Sequence, residues 1–267
     1  MSNLPLSMSV FQSWDILFFR KPAGVASTRG KQRCFLSLLE TNSALPEADF
    51  TLLGGSSGEQ LFENQLQHLE IHAIETSQPI VKSLLSQFSA EQEYGLLNRL
   101  DTDTSGLLYF AKTPEVFEQF SQRQSAGEIR KYYLARIRGD PLRNLAKRDM
   151  PFTDQQDARN FSLSFPIMHH THNDEMMIVF RDEVEQEAWQ HKGRWEVHLP
   201  TTQIEVLHYD EQKNESVVLA MITKGVRHQI RVHLAALGNP ILGDKLYNKQ
   251  MTEAVLQLVS CGCEIDT

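Results

Sequence analysis

Apolar residues in this chain come mostly in short runs separated by turn residues, a rhythm that predicts strands more often than long helices. Ile16-Leu17-Phe18-Phe19 is one such run, stopped at Lys21-Pro22-Ala23-Gly24. Leu107 to Ala111 is a second, bounded by Thr104-Ser105-Gly106 and Lys112, and its length suits a buried strand. From Lys131 to Arg138 the pattern alternates, with Lys131, Tyr133, Ala135 and Ile137 on one face and Tyr132, Leu134, Arg136 and Arg138 on the other. Two segments read as helices. Thr113-Pro114-Glu115 supplies an N-cap, a proline in the first helical position and an acid in the first turn, and Val116, Phe117 and Phe120 follow as its buried face. Ile230, Leu234 and Leu237 form a helical stripe closed by Gly238, with Pro240 just beyond. That spacing puts Arg227 and Arg231, four residues apart, on one side of the same helix. Residues 1–10 read as a loose tail. Between 25 and 97 the pattern is least legible: Gly54-Gly55-Ser56-Ser57-Gly58 is a loop, and Leu61, Phe62, Leu66 and Leu69 have helical spacing after it.

Composition narrows the class without naming a function. With 267 residues, 41% hydrophobic and 22% charged, the chain is an ordinary globular protein of one large domain or two small ones. No apolar run approaches the roughly 20 residues of a membrane helix, and no basic residue precedes the first apolar stretch as in a signal peptide. We expect a cytoplasmic, membrane-free monomer. Cys34, Cys261 and Cys263 cannot make a fully paired disulfide framework or a four-ligand zinc site by themselves, and Cys261-Gly262-Cys263 reads as strand packing. A net charge of −8 argues mildly against an extended nucleic-acid footprint. Locally the balance differs. Residues 121–150 carry eight basic side chains (Arg123, Arg130, Lys131, Arg136, Arg138, Arg143, Lys147, Arg148) against three acidic ones, a local charge of +5 that reads either as a solvated face or as an RNA-binding surface.

The chemistry concentrates in Asn98-Arg99-Leu100-Asp101-Thr102-Asp103-Thr104-Ser105-Gly106, a loop feeding the Leu107–Ala111 strand, where a rigid scaffold can hold reactive groups. Two carboxylates two apart, Asp101 and Asp103, suit glycosidase or nuclease chemistry in other contexts. The simpler reading makes Asp103 a residue that caps the Thr-Ser-Gly turn. Residues 98–112 closely resemble the H-R-L-D-x-x-T-S-G-L-L-L-F-A-K signature of the RluA-type pseudouridine synthases. Three further segments resemble that family in the same order: Lys21-Pro22-Ala23-Gly24 (K-P-x-G), Lys131 to Gly139 (K-x-Y-x-A-x-V-x-G), and Thr223 to Asp244 (T-G-R-T-H-Q-I-R-V-H-L-A…G-x-P-I-x-G-D). Together they cover roughly residues 15–250.

The resemblance implies an α+β fold, a pseudouridine synthase-like mixed, largely antiparallel sheet flanked by helices and loops. It implies one catalytic domain over 11–267, with residues 40–95 as room for an insertion and no S4-type RNA-binding module. It also implies an RNA pseudouridine synthase that isomerises a specific uridine of structured ribosomal or transfer RNA, with no cofactor and no metal. Asp101 is then the catalytic carboxylate, Tyr133 the active-site tyrosine and Arg231 the arginine that meets the aspartate. Arg99, Lys131, Arg227, His228 and Gln229 fall at substrate-binding positions. A uridine inside folded RNA must be extruded before a side chain can reach it, and Arg99 is placed to fill the vacated position. Val255 to Ile265 matches a final strand, cut short. Asn98 stands where the family has histidine, and Lys224-Gly225-Val226-Arg227 replaces T-G-R-T, which leaves the RNA target open. Two other classes remain. One is a catalytically silent RNA-binding protein on the same scaffold. The other is a metal-dependent hydrolase through His170, His172 and Asp174, an H-x-H-x-D spacing that lacks the next histidine because Glu175 stands there.

Overall fold

The computed structural model describes residues 16–28 except Pro22, then Cys34 and Leu36, 86–147 except Ala90, 153–170, 175–182, Glu185, Glu187, 197–250 and 253–265. The tail over 1–10, the room for an insertion and the helical spacing at 61–69 fall largely or wholly outside these residues. The described chain falls into two compact units, the first holding residues up to Lys131 together with Ser260–Ile265, the second holding Tyr132–Val259.

In the first unit, β1 (Ile16–Lys21) pairs antiparallel with β2 (Ser105–Ala111), running from Ile16 opposite Ala111 to Lys21 opposite Gly106. This register brings Lys21, the first residue of the Lys-Pro-Ala-Gly turn, to the start of β2. The last strand, β10 (Leu258–Ile265), lies on the other side of β2, and it begins three residues later than the sequence suggests. Their approach is close because Gly106 has no side chain: a Cβ there would collide with the backbone of Ser260, and its φ of +110° is one that L side chains rarely adopt. Helix α1 (Pro114–Ala126) starts as expected, with Thr113 as N-cap accepting from the Val116 N–H at 3.4 Å, and buries Phe120. A cap of this kind is worth about 1 kcal/mol. Phe117 is half-buried and its ring lies 6.0 Å from that of Phe88.

The second unit contains most of β3 (Ile129–Arg138), then α2 (Pro141–Lys147), β4 (Thr153–Gln155), β5 (Asn160–Leu163), β6 (Ile167–His169), β7 (Met177–Val179), β8 (Thr202–Asp210), β9 (Glu215–Ile222) and α3 (Gln229–Leu237). Its sheet runs β3-β9-β8-β5-β4, and β6 and β7 form a separate antiparallel pair. Among the described residues the paired strands registered are antiparallel, and helices are few, so the architecture is the expected α+β. β3 is buried on both faces from Tyr133 to Ile137. One local expectation is corrected. α3 begins at Gln229 behind His228, which sits in the left-handed region at φ 56°. Arg227 therefore precedes the helix and is exposed, while Arg231 is buried; the two share no helix face.

Candidate active site

The loop Asn98–Thr104 is held by three side chains that hydrogen-bond to backbone, which explains why a segment with so little regular structure stays fixed. Asn98 lies buried and bridges to β2, its Nδ2 donating to the Leu107 carbonyl at 3.1 Å and its Oδ1 accepting from the Tyr109 N–H at 2.7 Å. The carboxamide thereby mimics one residue of a partner strand. Ser27 brackets Leu100, its hydroxyl donating to the carbonyl at 2.8 Å and accepting from the N–H at 2.9 Å. Lys21 is fully buried, and its ammonium donates to the carbonyls of Val25 at 2.6 Å and Thr102 at 2.9 Å. The Gly24 N–H donates to the same Thr102 carbonyl. Asp101 itself closes the turn through its own carbonyl, which accepts from the Thr104 N–H at 3.1 Å. The carboxylate thus stands half-buried on a turn whose preceding and following residues are both tied down.

Burial lowers the Lys21 ammonium to a pKa of about 8, and the negative charges of Asp101 and Asp103 act against that shift. The lysine and the aspartate are therefore electrostatically linked. Nothing in the Lys-Pro-Ala-Gly motif itself gives Lys21 a site role; the strand register alone brings residue 21 to residue 102.

Arg99 is the exposed member of the loop, its side chain 70% accessible, and its Nε and Nη2 both reach the carboxylate of Glu93, at 3.2 and 2.7 Å. Lys131, in the same unit, is buried and donates to Oε1 of Gln124 at 2.6 Å. Burial lowers its pKa to about 8. Burial pushes the Cys263 thiol up to about 12, so it is protonated at neutral pH and is no counter-ion for the lysine.

Tyr133, Arg227, His228, Gln229 and Arg231 belong to the second unit. Arg231 is 3% exposed and forms a two-point ion pair with Asp244, Nε to Oδ2 at 2.8 Å and Nη2 to Oδ1 at 2.9 Å. Its guanidinium also lies 5.3 Å from the Tyr247 ring centroid. Asp244 accepts further from the N–H groups of Leu246 and Tyr247, so one carboxylate ties the helix arginine to the following turn. The Tyr247 hydroxyl is 2.8 Å from His228 Nδ1 and accepts from the Met177 N–H. Gln229 donates to the Thr201 carbonyl and the Thr202 hydroxyl, and Thr202 reaches His233 Nδ1 at 2.9 Å. Tyr133 is buried in β3. Asp244 and Tyr247, which sequence reasoning did not assign, lie thirteen and sixteen residues beyond Arg231, outside any helical spacing rule.

The basic run over 121–150 is partly compensated, in the main by acids remote in sequence. Arg130 pairs with Glu264, Arg136 with Glu215, and Arg143 with Asp140 and Glu211, while Lys131 and Arg136 are buried. The local +5 therefore overstates the charge this segment shows to solvent. Of the metal spacing, His172 and Asp174 lie outside the described residues.

The sequence profile of the RNA pseudouridylate synthase family matches residues 15–236. This chain belongs to that family. Among pseudouridine synthases of the RluA type, the dual-specificity RNA pseudouridine synthase RluA of Escherichia coli is 30% identical over 57% of this chain and 56% of its own length. The mitochondrial pseudouridylate synthase RPUSD4 of Xenopus tropicalis is 30% identical over 71% of this chain and 58% of its own length. The chain thus spans somewhat over half the length of these relatives. A human RNA pseudouridylate synthase domain-containing 4 structure superposes with a TM-score of 0.51 at 17% identity, covering 94% of this chain and 81% of that one, a likeness of fold.

Proposed function

We propose that this protein is an RNA pseudouridine synthase whose catalytic residue is Asp101. The observation that carries the reading is the clamp on the Asp101 turn: Lys21 and Gly24 converge on the Thr102 carbonyl, and Ser27 and Asn98 fix the residues before it. Preorganisation of this kind is what a reacting group needs and what a solvated loop does not.

The chemistry balances without an external group. The bond from C1′ of the ribose to N1 of uracil breaks, the base turns while trapped, and a bond from C1′ to C5 forms as the C5 proton leaves to water and N1 takes up a proton. Asp101 acts as a carboxylate, on the sugar or on the ring. Arg99, exposed beside it, fills the position left by the extruded nucleotide. Tyr133 stacks on the uracil, a contact worth about 1–3 kcal/mol. Arg231 is the family's arginine, and the Asp244 pair and the Tyr247 ring support it as a rigidly held cation. Among the binding residues, exposure favours Arg99 and Arg227 for direct RNA contact. Lys131, His228 and Gln229 are buried and bonded to Gln124, Tyr247 and Thr201–Thr202, which favours positioning roles. The target is a structured ribosomal or transfer RNA, met in the cytoplasm.

The test is tritium release. Purified protein is incubated with RNA labelled at C5 of uridine and taken from cells that lack the gene; pseudouridine formation liberates the label to water. Release by the wild type and a loss of about 10⁴-fold in folded Asp101→Asn is expected. Release at the wild-type rate by the variant overturns the assignment. Tight RNA binding by the wild type without any release favours the silent RNA-binding reading.

A further inference from the structure

Glu93 stands out as a residue to which neither a fold role nor a catalytic role has been given. It lies in a tight turn, Gln92–Gly95, where Glu93, Tyr94 and Gly95 all take positive φ, at 51°, 53° and 83°. The left-handed region is disfavoured for side-chain-bearing residues, and two in succession persist only where the surroundings enforce them. Here they do. Before the turn, Gln92 is tied to Ser89 through both backbone and side chain. After it, the Leu97 N–H donates to the Tyr109 carbonyl and Leu96 bridges Phe110 on β2. A Cβ on Gly95 would press on the Phe88 ring and the Ala111 carbonyl, so the turn is seated on the core. The result aims Glu93, whose side chain is 24% exposed, at the 70% exposed Arg99 with two contacts.

A guanidinium fork fits a carboxylate and a phosphate equally well, through the same donors. Glu93 therefore occupies the Nε–Nη2 edge of Arg99, one of the two edges with which the guanidinium could grip an RNA phosphate, and its charge stands against a phosphate at the other. We infer that Glu93 holds Arg99 back from RNA until a nucleotide is extruded, so that it sets specificity by positioning the residue that fills the vacated site. The inference rests on the role proposed above for Arg99. A phosphate alone offers Arg99 only an exchange of one two-point partner for another. An RNA that also opens a place in its stack offers more, and it alone draws the arginine away.

The experiment is a double-mutant cycle of Glu93→Gln and Arg99→Gln, read in two ways. The first is binding to a poly(A) oligoribonucleotide, which carries phosphates and no uridine, over a series of salt concentrations. The second is tritium release from the C5-labelled RNA, with thermal midpoints checking that each variant is folded. Glu93→Gln is expected to tighten poly(A) binding about two- to fivefold, the strength of an exposed ion pair, and to steepen the salt slope by about 0.7 for one added phosphate contact. In the Arg99→Gln background the same change should have no effect. Equal tightening in both backgrounds would mean that Glu93 acts as a general charge, and no tightening in either would mean that it holds nothing; both overturn the inference alone. Wild-type tritium release by Arg99→Gln overturns the role of Arg99 and the inference with it.

Discussion

Replacing Asn98 tests how the candidate catalytic loop is attached. The side chain is buried and makes two hydrogen bonds to β2, one as donor to the Leu107 carbonyl and one as acceptor from the Tyr109 N–H. In Asn98→Ala the Tyr109 N–H loses its side-chain acceptor, while the Leu107 carbonyl keeps the Ser260 hydroxyl, which donates to it at 3.2 Å. Orphaning one buried donor costs about 1–3 kcal/mol, so the expected loss is about 1–3 kcal/mol. For a chain of this size that lowers the melting temperature by roughly 2–12 °C. Asn98→Asp sharpens the test. Its oxygens still accept from Tyr109, but a lone pair now faces the Leu107 carbonyl and a charge is buried, so it should melt no higher than the alanine variant. The assay is chemical denaturation with matched tritium release, and turnover should fall in both variants at temperatures where both are folded. An aspartate variant as stable as wild type would refute the bridging geometry.

Three further outcomes follow from single contacts. Gly106→Ala drives a Cβ into the Ser260 backbone at a φ side chains avoid, and should destabilise by about 2–5 kcal/mol; a melting point within a degree of wild type would show that β2 and β10 can separate freely. Asp244→Ala strips the counter-ion from buried Arg231 and should cost about 3–5 kcal/mol, measured by urea unfolding, and an unchanged midpoint would contradict the pair. His233 is fully buried, and burial lowers its pKa from 6.5 to about 4, its Nε2 donating to the Phe165 carbonyl. Below pH 6.5 the unfolded chain takes up a proton that the folded chain refuses until about pH 4, so stability is complete above that window and falls through it by about 3 kcal/mol. His233→Gln should flatten that pH dependence, and an identical slope in the variant would contradict it.

What could be read beforehand was what depends on neighbours in sequence. β1, β2, the capped start of α1 and the stop of α3 at Gly238 all follow from local patterns, and all are present. What could not be read depends on register and long closure. Nothing local says that Lys21 faces Gly106 and so reaches Thr102. In the sequence the basic run looks uncompensated because Glu264, Glu215 and Glu211, which pair with Arg130, Arg136 and Arg143, lie 134, 79 and 68 residues away. Periodicity puts Arg227 on a helix face because it does not reveal that His228 turns left-handed and starts the helix late. In the sequence Asn98 is only a departure from the family signature. Only the β2 backbone opposite it reveals its role as a bridge.

The most direct measurement is a transcriptome-wide map of pseudouridine, by carbodiimide adducts and primer-extension stops, in cells with the gene, without it, and restored with wild type or Asp101→Asn. The account predicts at least one site in ribosomal or transfer RNA that vanishes on deletion and returns with wild type alone. A site restored equally by folded Asp101→Asn, or no change at any site with the purified protein also inert on unmodified RNA, would contradict it.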